Sequence, residues 1–139
     1  MENDPRKSRA SHAQESASAA VSEQTLVEFF SAARTGSRKK IEALLYSGVS
    51  PNLAEPSTGF TLLHYISSRG ITAGLNTLLR RYEFDHLVRD HLGRLPSELA
   101  ATVAEDFRLA DRLRTLEIEQ ADRNGVTLTY RPRPPISEG

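Results

Sequence analysis

Cysteine is absent from this 139-residue chain, and with it go disulfides, thiolate metal sites and cysteine nucleophiles. Aromatic side chains are scarce, at 6% of the composition. That is too few for a large stacking pocket for bases or sugars, so aliphatic residues must carry the packing. Neither sign of charge dominates. The 18 Lys and Arg face 18 Asp and Glu, which argues against the broad one-sign field that drives non-specific binding to nucleic acid or anionic membrane. No stretch approaches the roughly 18 consecutive apolar residues of a membrane span. The start, Met1-Glu2-Asn3-Asp4-Pro5, lacks the basic-then-apolar order of a secretory signal. The expectation is one cytoplasmic domain with a continuous apolar core. Delivery outside the cell by a system that reads polar N-termini is the alternative, because the opening is rich in Ser and Ala.

What the sequence does contain is periodic. Residues 1–21 offer almost nothing to bury and read as a disordered tail, with His12 in solvent. Order is expected from Ser22, a helix cap, through Leu26, Phe29, Phe30 and Ala33 at helical spacing, to a stop at Gly36. A second helix is expected over 38–47 through Ile41, Leu44 and Leu45. A turn-rich loop follows over 49–58, and then helices over 61–68 and 72–81 separated by Gly70. A second loop over 82–92 ends in Gly93. Pro96 opens another helix, and Glu105-Asp106 caps a last one running to about Glu119. Ala121-Asp122-Arg123-Asn124-Gly125 is read as a turn, Val126 to Tyr130 as a short strand or strip, and Arg131-Pro132-Arg133-Pro134-Pro135 as an extended proline-rich tail.

The helix pairs repeat at a fixed offset. Gly36 and Gly70, Gly59 and Gly93, and the sets Ile41/Leu75/Leu109, Leu45/Leu79/Leu113 and Ala32/Ile66/Ala100 are all spaced by 34 residues. A period near this length containing a turn and two short helices suits units that bury their apolar faces only by stacking. The wording matches too. Gly59-Phe60-Thr61-Leu62-Leu63-His64 resembles the Gly-x-Thr-Pro-Leu-His signature of ankyrin repeats, with Leu62 in the usual proline position. Gly93-Arg94-Leu95-Pro96 keeps the glycine and proline but has Leu95 for threonine and Glu98 for histidine. Leu44-Leu45-Tyr46-Ser47-Gly48-Val49-Ser50-Pro51-Asn52 resembles the family's Leu-Leu-x-x-Gly-Ala-x-x-Asn passage.

The resemblance implies an all-α fold, an ankyrin-like alpha/alpha repeat solenoid with short interrepeat loops. Its domain would occupy 22–120, with repeats at about 22–52, 53–86 and 87–119, followed by an extended segment over 121–139. It also implies that His64 is structural, bonded within its own repeat and to the neighbouring loop, with Thr61 capping its helix.

No residue set reads as a catalytic centre. There is no Gly-Lys-Ser or Gly-Lys-Thr phosphate phrase. Asp85-His86 and Asp90-His91 match no standard metal-ligand spacing and read as loop hydrogen bonding. Arg34, Arg38, Lys39 and Lys40 read as a solvated face, since they lack interleaved aromatics. No enzyme, cofactor or metal is expected.

The family's recognition surface is its concave side, built from loop tips and first helices. Carried onto this chain, that nominates Asn52, Glu55, Pro56, Ser57 and Phe60 in the first loop, and Glu83, Phe84, Asp85, His91 and Arg94 in the second. The first helices add Glu28, Tyr65 and Glu98. Phe60 and Phe84 stand out as candidate exposed anchors. The expected function is a non-catalytic adaptor or inhibitor binding a protein partner. A delivered effector or assembly-associated protein whose polar tails make the contacts is the alternative.

Overall fold

The computed structural model describes residues 21–130. Apart from Val21, the N-terminal tail with His12 lies outside the described residues, as does the proline-rich run 131–135. The described residues form six helices and no strand: α1 (Glu23–Thr35), α2 (Arg38–Tyr46), α3 (Leu62–Arg69), α4 (Leu75–Arg81), α5 (Pro96–Thr102) and α6 (Phe107–Asn124). Among them none is long and apolar enough to cross a membrane.

Four of the six helices have a local cause. Ser22 caps α1 by accepting the Thr25 N–H, and left-handed Gly36 stops it. Thr61 caps α3, and Gly70 closes it in the same left-handed geometry. Pro96 occupies the first turn of α5, where its missing N–H costs nothing. Asp106 caps α6 through the Leu109 N–H.

Two expected boundaries are corrected. The fourth helix begins at Leu75 rather than Thr72, because Gly74 turns left-handed (φ +78°) and packs under the Arg38 guanidinium. The last helix continues through Asn124, so 121–124 are helical rather than a turn. Ala121 falls one turn past Glu117 on the buried side, and the chain reverses only at left-handed Gly125. Of the two forms expected for 126–130, strand or strip, no strand is present. Side chains hold the strip: Arg89 donates to the Thr129 carbonyl (2.7 Å), and the Tyr130 hydroxyl donates to Glu117 (2.8 Å).

Helix α3 lies between α1 and α5, while α2 packs on α1 and α6 on α5. The positions spaced by 34 residues meet similar fates. Ile41, Leu75 and Leu109 are buried, as are Ala32, Ile66 and Ala100, and Leu45 and Leu113 flank a half-buried Leu79. Arg112, which replaces Leu44 and Leu78 at the next interval, is exposed on α6.

The two loops between helix pairs run side by side. Each tip closes with a left-handed glycine, Gly59 (φ +76°) and Gly93 (φ +80°). The neighbouring loop crowds Gly59 alone: a Cβ there would sit 2.7 Å from the His91 backbone nitrogen, whereas one at Gly93 would meet nothing within 4 Å. Urea unfolding of Gly59→Ala and Gly93→Ala should separate close approach from backbone strain. Both lose about 1 kcal/mol or more from left-handed strain, and Gly59→Ala loses the more. Equal losses would contradict the packing of one loop on the other.

Candidate functional site

The first loop tip is a tight turn. The Glu55 N–H donates to the Phe60 carbonyl (2.8 Å), and the Gly59 N–H donates to the Glu55 carbonyl (2.7 Å). The second is built alike, from the Asp90 N–H to the Arg94 carbonyl (3.0 Å) and from Gly93 to Asp90 (2.9 Å). The Asp90 carboxylate also accepts the N–H groups of Leu92 and Arg94 and the Arg94 Nε. Burial alone would raise this carboxyl, but those bonds outweigh it and hold Asp90 below the usual carboxylate range. The His91 N–H donates to the Thr58 carbonyl (2.9 Å), joining the two tips.

His64 locks this arrangement from beneath. Its ring is fully buried. Nδ1 accepts the Thr61 N–H (3.1 Å), which leaves the proton on Nε2, and Nε2 donates to the Arg94 carbonyl (2.9 Å). Phe60 stacks on His64 at 5.4 Å, and the Arg94 guanidinium lies 5.9 Å over the other aromatic partner, the Phe60 ring. Phe60 is thus half-buried. In the next unit Glu98 takes over the helix-start role of His64 by accepting the Leu95 N–H (2.8 Å).

Tyr65, nominated as an outward residue, is instead buried. It packs edge-on to Phe60 at 4.9 Å, because its helix α3 has helices on both sides. Its hydroxyl donates to Glu55 and accepts from Arg34 (3.2 Å). Arg34 in turn donates to Glu55 (3.0 Å), which also accepts from Thr58 (3.2 Å). Burial tends to raise the Glu55 carboxyl, but the hydrogen bonds from Tyr65, Arg34 and Thr58 prevail and keep it low. Arg34 stays exposed, as expected of a solvated basic face, but its guanidinium is paired with Glu55 and Tyr65. Arg38 pairs with Glu42 (3.0 Å), and Lys39 and Lys40 are exposed.

Beside this Arg34–Glu55–Tyr65 cluster runs a groove of about 380 Å³. Leu26, Val27 and Phe30 of α1 form one wall, and Pro56 and Ser57 of the first loop form the other. Val27 is 59% exposed. The groove is not legible in the sequence, because helical spacing places Leu26 and Phe30 on the core side, where they do pack, and leaves open which loop faces them.

The other nominated residues divide. Glu83 and His91 are exposed, as is Glu28. Phe84 is not an exposed anchor: it is 7% exposed and belongs to the core. Asn52 bridges the loops, donating to the Glu83 carbonyl (3.1 Å) and accepting the Asp85 N–H (2.8 Å). The Asp85 carboxylate accepts from Leu87 and Gln120. Among the described residues no group of three or more His, Asp or Glu could hold a metal ion.

Glu117, which carries no recognisable motif, is fully buried. It accepts the N–H and hydroxyl of Ser97 at the start of α5 (3.0 and 2.7 Å) and the Tyr130 hydroxyl. Burial pushes its carboxyl up, and the Ser97 and Tyr130 bonds restrain that rise. Its clue in the sequence is spacing: it lies one helical turn beyond Leu113 and one before Ala121.

Burial lowers the His64 pKa below its ordinary value. The unfolded chain then binds a proton that the folded ring refuses, so His64 stabilises the fold above pH of about 6.5 and that contribution falls as pH drops. His86 shares the direction and Glu117 opposes it. Urea midpoints at pH 7, 6 and 5 should therefore fall less steeply for His64→Gln than for the natural chain, from a lower starting value. Parallel curves would refute a neutral His64. No protein-family model matches this chain, and a search of curated proteins returns no match.

Proposed function

We propose that this chain is an ankyrin-like helical solenoid that acts as a non-catalytic adaptor or inhibitor, holding a protein partner against its loop tips and concave face. The reading is supported by the 34-residue spacing of the helix pairs, by the Gly59 to His64 phrase, and by the order in which α1, α3 and α5 pack. The observation that carries it is the α1 groove. An open apolar trough beside a fixed guanidinium–carboxylate–phenol cluster is the composition of an interface anchor pocket with a polar rim. Its ordered charges need no rearrangement on binding, which reduces the entropy cost of association.

The partner contributes an apolar side chain to the space between Val27 and Pro56, with a polar group positioned for Arg34 or Glu55. Protein fits this better than nucleic acid, since the groove has one guanidinium offset by Glu23 and Glu55. Phe60, Glu55 and Tyr65 serve as the structural backing of the pocket. Asn52, Glu83, Asp85, His91 and Arg94 continue the surface along the second loop.

The test is recovery of the partner from native lysate, followed by affinity measurement with Val27→Asp/Pro56→Asp. Both residues are exposed, so the variant should fold as the natural chain does. Binding should weaken at least about tenfold, the loss of one good anchor. Undiminished affinity would reject the groove. Loss of binding only when 1–20 and 131–139 are removed would move recognition to the tails.

A further inference from the structure

The strip over 126–130 leaves the end of α6 at Gly125, where a Cβ would meet nothing within 4 Å. Among the described residues, 127–130 form no backbone–backbone hydrogen bond, and none of 126–130 belongs to the apolar core. Val126, Thr127 and Thr129 are exposed. Burial therefore does little to hold the strip, and side-chain contacts at its far end do most of it.

Those contacts make a notch. Arg89 grips the strip backbone, donating from Nη2 to the Thr129 carbonyl (2.7 Å), while its Nη1 donates to the Gly93 carbonyl (2.9 Å). The Arg114 guanidinium lies 3.9 Å from the centre of the Tyr130 ring. At the floor, Glu117 Oε1 accepts the Tyr130 hydroxyl (2.8 Å) and the Ser97 hydroxyl (2.7 Å), and Oε2 accepts the Ser97 N–H (3.0 Å). Glu117 and Arg89 thus each keep a partner outside the strip, so their positions do not depend on it alone. Tyr130 is itself only half-buried and reaches the carboxylate from the surface. A tyrosine from another chain has the same approach once the strip lifts.

We propose that this notch is a peptide-binding site for a tyrosine in an extended segment of a partner protein, and that residues 126–130 occupy it in cis as a strap the partner displaces. The chain's own strip defines the ligand. A main-chain carbonyl before the tyrosine meets Arg89, the ring meets Arg114, and the hydroxyl meets Glu117. Burial and the adjacent Glu117 push the Tyr130 phenol upward, so at neutral pH it keeps the proton it donates. Phenylalanine would fill the notch without that donor. Phosphotyrosine would bring added negative charge against Glu117 and the nearby Glu98. This inference rests on the reading of the chain as a protein-binding module, but it uses a different surface from the α1 groove.

The probe is the acetylated, amidated peptide Gly-Val-Thr-Leu-Thr-Tyr, the sequence of 125–130. It is titrated into the whole natural chain, Tyr130→Phe and Tyr130→Ala, and followed by amide NMR shifts. Occupancy in cis lowers the apparent affinity by the fraction of time the notch is open. Affinity should therefore rise in that order, with Tyr130→Ala at least about tenfold above the natural chain. On Tyr130→Ala, the peptide ending in Phe should bind at least about tenfold more weakly, for want of a bond to a charged acceptor, and the phosphotyrosine peptide should not bind. Equal affinity for the natural chain and Tyr130→Ala, no binding to Tyr130→Ala, or binding of the Phe or phosphotyrosine peptide as tight as the Tyr peptide would overturn the proposal. So would a Tyr130→Phe chain that no longer folds, since the strip would then be a fixed part of the structure. Loss of the peptide on adding Val27→Asp to Tyr130→Ala would place it in the α1 groove, overturning this site and leaving the groove standing.

Discussion

Helix α3 has helices on two sides and no solvent face over 62–67, so each polar group it carries inside must be paired within the protein. Magnitudes show why this matters. Burying Leu62, Leu63 and Ile66 contributes about 5–9 kcal/mol, while leaving His64 and Ser67 unpaired would cost about 2–6 kcal/mol. The polar loss would cancel roughly half of the apolar gain. Ser67 is satisfied by the Leu63 carbonyl (2.5 Å), a bond within the helix. His64 is satisfied only by reaching out, to Thr61 on one side and to Arg94 thirty residues away on the other. That long reach fixes where the second loop sits.

From this constraint the rest of the surface follows. With Arg94 held by His64, its side chain lies over Phe60 and against Asp90 (2.8 Å). With Phe60 held, Tyr65 packs beneath it and presents its hydroxyl to Glu55 and Arg34. The groove beside α1 is therefore backed by a chain of contacts leading to the most buried helix among the described residues. Binding surfaces carried on loops gain precision when a rigid scaffold positions them.

Much of this was legible in the sequence because local rules governed it. Ser22, Thr61 and Asp106 cap, Pro96 opens and Gly36 and Gly70 close their helices as their side chains dictate. His64 bonds within its own unit and to the neighbouring loop, as the ankyrin resemblance implied. What was hidden depends on contacts between distant segments. Phe84 reads as a surface aromatic although it joins the core, and Tyr65 does so until the helices on either side of α3 are placed. Glu117 is a charged residue on a periodic helix, and only the arrival of Ser97 and Tyr130 makes it a buried acceptor. The extension of α6 to Asn124 could not be told from a turn at Asn-Gly without knowing that Ala121 is covered.

Native-state hydrogen exchange measures the central constraint directly. If α3 is clamped through His64 on one side and its aliphatic residues on the other, the amides of Tyr65, Ile66 and Ser67 should exchange only through global unfolding, with a free energy equal to that from urea. Amides of α2, an edge helix with an exposed Tyr46, should open earlier. Exchange of the α3 amides at the same rate as those of α2 would contradict a fold organised around this helix.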